Sequence, residues 1–290
     1  MKDYIIRGTA GAGSVRVFAT NTKNLVSHAQ KIHNTTPVAT AALGRTLTAA
    51  AIMGAALKND TDILTIDIRG NGPLGGIVAV ADNKSRVKGY VFNPVIDLLK
   101  KPNGKLDVGG GIGIGVLSIT RDMGLKEPVT GQVELISGEI AEDIAYYYTI
   151  SEQTPSSVIL GTLVDRDLTV KQSGGIIIQS LPFADEEVLT KIEQKLAKLA
   201  PLTVLLDNGK SIEDIIEMIF EGLDFELSEK TYPEFYCSCS REKTEKALLS
   251  VGKVELEKIL AEDGEANLHC HFCNTSYRFG AEDIRGLITF

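Results

Sequence analysis

The chain has 290 residues, of which 43% are hydrophobic and 23% charged, and it carries a net charge of −8. This is ordinary globular composition, long enough for two domains and for a core that does not depend on disulfides. Residues 1–180 hold 18 basic and 16 acidic side chains, 181–232 hold 5 and 12, and 233–290 hold 7 and 10. The last two segments offer no basic platform for phosphates, which weighs against nucleic acid as the main partner.

The start, Met1 to Ile6, has an acid at its third position and no long apolar run, unlike a secretory signal. The expected compartment is therefore the cytoplasm, where thiols are kept reduced. Two short strands are predicted around Tyr4–Arg7 and Ser14–Ala19. Gly8, Gly11 and Gly13 read as a loop between them. Asn21 or Thr22 can cap a helix that runs toward His33, with His28 and His33 expected at its surface. Pro37, whose fixed φ suits a first turn, opens a second helix. Val38–Leu57 is long enough to span a bilayer, but most of its apolar residues are Ala and it contains Arg45. A central Arg costs about 2.5–3.5 kcal/mol to insert, so a buried Ala-rich helix is the stronger reading and no membrane partner is expected.

Ile63–Arg69 alternates with period two and reads as a strand. Gly-rich turns then separate Ile77–Val80, Val87–Phe92, Ile112–Thr120 and Val129–Ser137. Gly109–Gly115 is the most conspicuous glycine run, yet it opens a strand and lacks a phosphate loop's Lys-Ser/Thr ending. Glu139–Glu152 looks helical, and Val158–Val164 and Ile176–Leu181 read as late strands. Strands and helices that do not strictly alternate predict an α+β fold. Beyond Pro182 the chain turns acidic. Asp185–Leu199 has helical spacing with acids first and lysines later, and Ser211 with Asp214 marks another helix start. The expected organisation is an α+β domain over 1–182, a helical linker over 183–232 and a small zinc-binding domain over 233–290.

All four cysteines fall in the last block, as Cys237-x-Cys239 and Cys270-x-x-Cys273, thirty residues apart. Two close pairs at such spacing form a metal-ligand pattern, and zinc takes four thiolates in a tetrahedron. Permanent disulfides fit a reducing compartment poorly. A thioredoxin-like motif would need a βαβ context, and common iron–sulfur runs have other spacings. His269 and His271 flank the second pair; the stronger reading puts them facing solvent, the weaker makes them alternative ligands or donors to the ligands. A four-cysteine site has no open position, so it is a poor hydrolytic catalyst. No Ser/His/Asp set can be assembled either, and no enzyme activity is expected. Zinc would hold the sulfurs as thiolates, which are open to oxidants, and a disulfide would remove two ligands at once. Structural zinc supplies about 10–16 kcal/mol in small domains, so its loss would unfold the tail.

The chain resembles the redox-regulated heat-shock chaperone family of thirty-three kilodaltons. The resemblance rests on the cysteine spacing, on Arg69–Gly75, on Tyr148–Pro155 and on Gly174–Pro182. It implies a chaperone that is inactive when reduced and zinc-bound. Oxidants such as hypochlorous acid, or peroxide with heat, would form disulfides Cys237–Cys239 and Cys270–Cys273. Zinc release and unfolding of the linker would follow. The protein would then hold unfolded client proteins without ATP, usually as a homodimer. Within the linker, Ile215, Ile216, Ile219, Phe220 and Phe225 are the apolar side chains that unfolding would expose. The alternative is a zinc-ribbon interaction module, touching nucleic acid, fused to an α+β domain; the acidic C-terminal half disfavours it.

Overall fold

In the computed structural model, which describes residues 2–289, the chain divides into two units after Phe235. Met1 and Phe290, the outer ends of the expected terminal domains, lie outside the described residues. The first unit begins with β1 (Tyr4–Ala10), β2 (Val15–Asn21), α1 (Lys23–His33) and α2 (Pro37–Ala55). Three strands follow, β3 (Ile63–Gly70), β4 (Gly76–Asp82) and β5 (Arg86–Val91). Then come α3 (Val108–Ile112), β6 (Gly115–Asp122), β7 (Val129–Glu134), α4 (Ala141–Ile150), β8 (Ser156–Val164) and β9 (Val170–Ser180). The unit ends with α5 (Glu186–Lys198), α6 (Leu202–Asp207), α7 (Ile212–Phe220), β10 (Glu226–Thr231) and β11 (Glu234–Phe235). The second unit holds α8 (Arg241–Leu249), α9 (Lys253–Glu262), β12 (Ala266–His269), β13 (Ser276–Phe279) and α10 (Ala281–Thr289).

The α+β class is as expected. A five-stranded sheet runs β10-β1-β2-β9-β8, and a six-stranded sheet runs β11-β5-β4-β3-β6-β7. Helix α2 packs against strands of both. By length and composition it could cross a membrane, but 89% of its apolar window is buried inside the protein. Its small side chains let β8 and α1 approach it closely: a Cβ on Gly44 would stand 2.5 Å from Thr162 Oγ1 and 2.8 Å from Val26 Cγ1. Arg45 leaves this core sideways, its Nη1 2.6 Å from Glu139 Oε2, while Lys101 Nζ holds Glu139 Oε1 at 2.6 Å.

Strand alternation divides the five-stranded sheet between two cores. Ile5, Phe18 and Ile177 face α2 and the large core. Tyr4, Ile6, Val17, Ala19, Ile176 and Ile178 face the other way. The acidic stretch 183–232 supplies the cover of that second face. Ile192, Leu205, Ile212, Ile215, Ile216, Ile219 and Phe220 are buried in one cluster with it, and Phe225 packs at its border. Ser211 caps α7 as expected: its Oγ accepts from Asp214 N at 3.1 Å, and Asp214 Oδ2 accepts from Ser211 N at 2.7 Å.

Several local expectations are corrected. Gly8 is not in a loop but inside β1, where the register with β10 shifts between Arg7 and Gly8. A Cβ there would meet Glu226 O at 2.4 Å and the Phe225 ring at 2.6 Å, so only glycine admits this approach. Gly109–Ile112 forms one helical turn rather than the start of a strand, because Asp107 Oδ1 accepts from Gly110 N at 2.9 Å. Thr22 stands at the N-cap of α1 without a side-chain cap bond, its hydroxyl taken by Thr48 and Ser173. Asp3 serves instead, accepting from Asn24 N at 3.1 Å and Leu25 N at 2.7 Å. His28 is exposed as expected, but His33 is buried, its ring edge-on to Phe235.

Candidate metal centre

The second unit has a small core of its own: Leu248, Leu256, Ala266, Phe279, Ile284 and Leu287. Six buried side chains are few for a unit of this size, and natural folds of such size commonly add a metal or disulfides. Its parts are tied at the surface by Arg241, which donates to Arg278 O at 2.7 Å and Asp283 Oδ2 at 2.9 Å and lies over the Phe279 ring.

Two local structures present the cysteines. Cys237-Ser238-Cys239 is an extended segment that ends where Ser240 caps α8, accepting from Lys243 N at 3.3 Å. Lys243 Nζ reaches back to Ser238 O at 2.9 Å and so pins the segment. Cys270 and Cys273 sit in the turn between β12 and β13. That turn is closed by Cys270 N to Thr275 O at 2.9 Å and Asn274 N to Cys270 O at 2.8 Å, with Asn274 at φ 60°. Asn tolerates the left-handed region better than most residues.

All four sulfurs lie within 4.8 Å of one another. Cys237 Sγ is 3.7 Å from Cys270 Sγ, and Cys239 Sγ is 3.2 Å from Cys273 Sγ. A tetrahedral zinc with Zn–S near 2.3 Å would need sulfur–sulfur edges of about 3.8 Å. The donor set therefore fits a four-thiolate metal ion. Burial opposes ionisation of Cys273, but hydrogen bonds from Thr275 and Cys239 outweigh it and bring the thiol down to about 6. Burial, together with its cysteine neighbours, pushes Cys237 up to about 12, and Cys239 is raised as well. One thiolate forms readily and the next ones repel it; a bound dication reverses that order and favours four. Tyr277 Oη, 3.2 Å from Cys239 Sγ, adds a donor to the cluster's edge.

His269 and His271 are both exposed, and neither joins the cluster. His269 has its Nδ1 3.1 Å from Ser276 Oγ and its Nε2 2.7 Å from Asn274 Oδ1, so it braces the turn. Thr275 and Tyr277 are the site residues that sequence reasoning missed. Only their nearness to Cys273 along the chain could have flagged them.

Comparison with known proteins agrees along the whole chain. A family described as Hsp33 protein matches residues 3–280. A 33 kDa chaperonin of Clostridium botulinum (strain Eklund 17B / Type B) is 50% identical over 289 residues, covering 99% of this chain and 98% of that protein. One from Lachnoclostridium phytofermentans is 46% identical, covering 100% and 99%. The crystal structure of the 33 kDa chaperonin of Thermotoga maritima superposes with a TM-score of 0.94 at 38% identity, covering 100% of this chain and 98% of that one.

Proposed function

The chain belongs to the Hsp33 family of chaperones, and we propose that Cys237, Cys239, Cys270 and Cys273 form a zinc-bound redox switch that controls its holding of unfolded proteins. The clustering of all four sulfurs within 4.8 Å supports this most directly. When bound, zinc keeps the four sulfurs as thiolates and cross-links the two cysteine-bearing segments. Within each close pair, two thiolates surrender two electrons to a peroxide or hypochlorous acid and join as one disulfide. The pairs would be Cys237–Cys239 and Cys270–Cys273. With half its ligands withdrawn the site no longer holds its metal, and the small core of the second unit cannot replace the lost stabilisation.

Chain order and packing support the linker reading. Residues 183–232 lie immediately before Cys237 in the chain. Ile215, Ile216, Ile219 and Phe220 are buried on the outer face of the five-stranded sheet, with Phe225 beside them. Burying such a side chain stabilises by about 1.5–3 kcal/mol. Releasing the layer uncovers these residues together with Tyr4, Ile6 and Ile178 on the sheet. Both surfaces suit the apolar segments of an unfolding client, and the high acidic content keeps the released stretch soluble. ATP has no role in this scheme, and we assign no enzymatic activity. The active form is a homodimer working in the cytoplasm.

The deciding measurement is aggregation of a chemically denatured client, followed by light scattering, before and after peroxide treatment of the reduced protein. Protection should appear only with oxidation and metal release, and vanish on reduction. Protection that is equal in both states removes the switch and leaves a constitutive chaperone.

A further inference from the structure

Two of the stretches that carry the family resemblance, Tyr148–Pro155 and Gly174–Pro182, take no part in the cysteine chemistry. They meet at a cavity of about 340 Å³ in the first unit, to whose wall they contribute Tyr148, Glu152, Thr154 and Gln179. Arg16, Lys58, Asp62 and Arg121 also line it, together with the apolar Met53, Leu57, Leu64 and Met123. Its size is at the small end of ligand pockets, which run about 300–1,000 Å³.

The charges in this wall are unevenly satisfied. Arg121 is neutralised by Glu152, with contacts of 2.9 and 2.7 Å. Asp62 is engaged by Asn59, whose backbone and side-chain nitrogens donate at 3.1–3.2 Å. Arg16 has no carboxylate at ion-pair distance among the described residues. Its Nη2 donates to the neutral Gln179 Oε1 at 2.7 Å, and its Nε is buried with no partner among the described residues. It also shares the Phe18 ring with a second cation, Arg7, the two guanidinium carbons standing 5.4 and 5.5 Å from the ring centre. Burial holds the Arg16 pKa below its ordinary value, and Arg7 adds to the effect. A half-buried cation left without a counter-charge is costly. The Tyr148 hydroxyl has no hydrogen-bond partner among the described residues, although its ring is buried. Lys58 stands exposed at the rim, without an ion pair among the described residues.

We propose that this cavity binds a small amphipathic carboxylate. Its head would take the accessible edge of the Arg16 guanidinium and the Tyr148 hydroxyl, with Lys58 closing the rim, and its apolar body would lie along Met53, Leu57 and Met123. A water molecule in the cavity would leave the Arg16 charge uncompensated; a carboxylate supplies the missing counter-charge. The assignment is independent of the cysteine switch, because every residue in it belongs to the first unit.

Isothermal titration calorimetry on the reduced full-length chain tests it, with octanoate, its uncharged analogue octanamide and inorganic phosphate as probes. Octanoate should bind saturably, octanamide and phosphate at least tenfold more weakly. Arg16→Gln should weaken octanoate at least tenfold while the far-UV circular dichroism stays unchanged, and Arg16→Lys should recover part of the loss. No saturable binding of octanoate, or equal binding of octanamide, overturns the proposal. So does phosphate binding as tightly as octanoate, because the apolar wall would then contribute nothing. The octanoate–octanamide comparison needs no substitution, so it decides the matter even if Arg16→Gln impairs folding.

Discussion

Gly8→Ala is the sharpest perturbation of the layer formed by residues 183–232, because it adds one methyl group where β1 meets β10. The new Cβ would stand 2.4 Å from Glu226 O and 2.6 and 2.7 Å from two Phe225 ring carbons. Ordinary carbon contacts lie at about 3.5–4.0 Å, so the ring and the backbone must retreat by roughly 1 Å. Phe225 stacks on Phe220, with centroids 5.8 Å apart, and carries that displacement to the end of α7. Strand β10 buries none of its side chains from Glu226 to Lys230 and is held by its backbone ladder to β1 and by Lys230, which pairs with Glu213 at 3.1 Å over the Tyr4 ring. Overpacking of this kind costs about 1–3 kcal/mol. If the cost falls on the attachment of β10, the detached population rises about 5- to 160-fold. Hydrogen exchange of the amides of residues 226–231, in reduced protein with its metal content verified, reads that population directly. Exchange should quicken by that factor while the amides of β3 and β4 stay protected. Partial protection of a client without oxidant should accompany it. Unchanged exchange at 226–231 would refute the reasoning, since the methyl group would then have been absorbed without moving the strand.

Three further outcomes are expected. Serine at Ile215, Ile216 and Ile219 together should leave metal binding intact but weaken protection of clients by the oxidised protein, as measured by light scattering; undiminished protection would remove these side chains from the client surface. On partial oxidation the Cys270–Cys273 bridge should form before Cys237–Cys239, because a Cys-x-Cys disulfide closes a smaller and more strained ring, and mass spectrometry of the early products checks the order. Glu139 is opposed in ionising by burial, yet Lys101, Arg45 and Gly109 N together hold its pKa below the usual 4.5. Its contribution is therefore present above pH 4.5 and lost as pH falls through the lower folded value. Glu139→Gln should lower the thermal midpoint at pH 7 and narrow its gap from the native chain below pH 4; an equal gap at both values contradicts the sign.

The cysteine cluster was legible because its spacing is local: each pair sits within four residues, and only the meeting of the two pairs needs the fold. Strand β3 was legible through alternation, β4 through the Gly-rich turns that set it off, and α7 through Ser211 and Asp214. Strand β10 was not, because five of its six side chains are exposed and no alternation betrays it. Its place is set by backbone pairing with β1, from Ile5 opposite Thr231 to Thr9 opposite Glu226. The turn at Gly109–Ile112 escaped notice because glycines are poor helix formers, and the Asp107 carboxylate that organises it shows only in three dimensions. His33 was misplaced for the same reason: Phe235, which shields it, lies two hundred residues further along the chain. The cavity at Arg16 is wholly tertiary, joining residues from β2, α4 and β9 that no short motif links.

The large core of the first unit draws its fully buried members from residues that all precede Gln179. None comes from α5, α6 or α7. Those helices resemble a coat laid over a finished wall. Under the proposed switch, taking it off would leave that wall standing, and the bare surface beneath would keep the imprint that guides it back. Recovery after stress would therefore begin from a standing template and not from a collapsed chain.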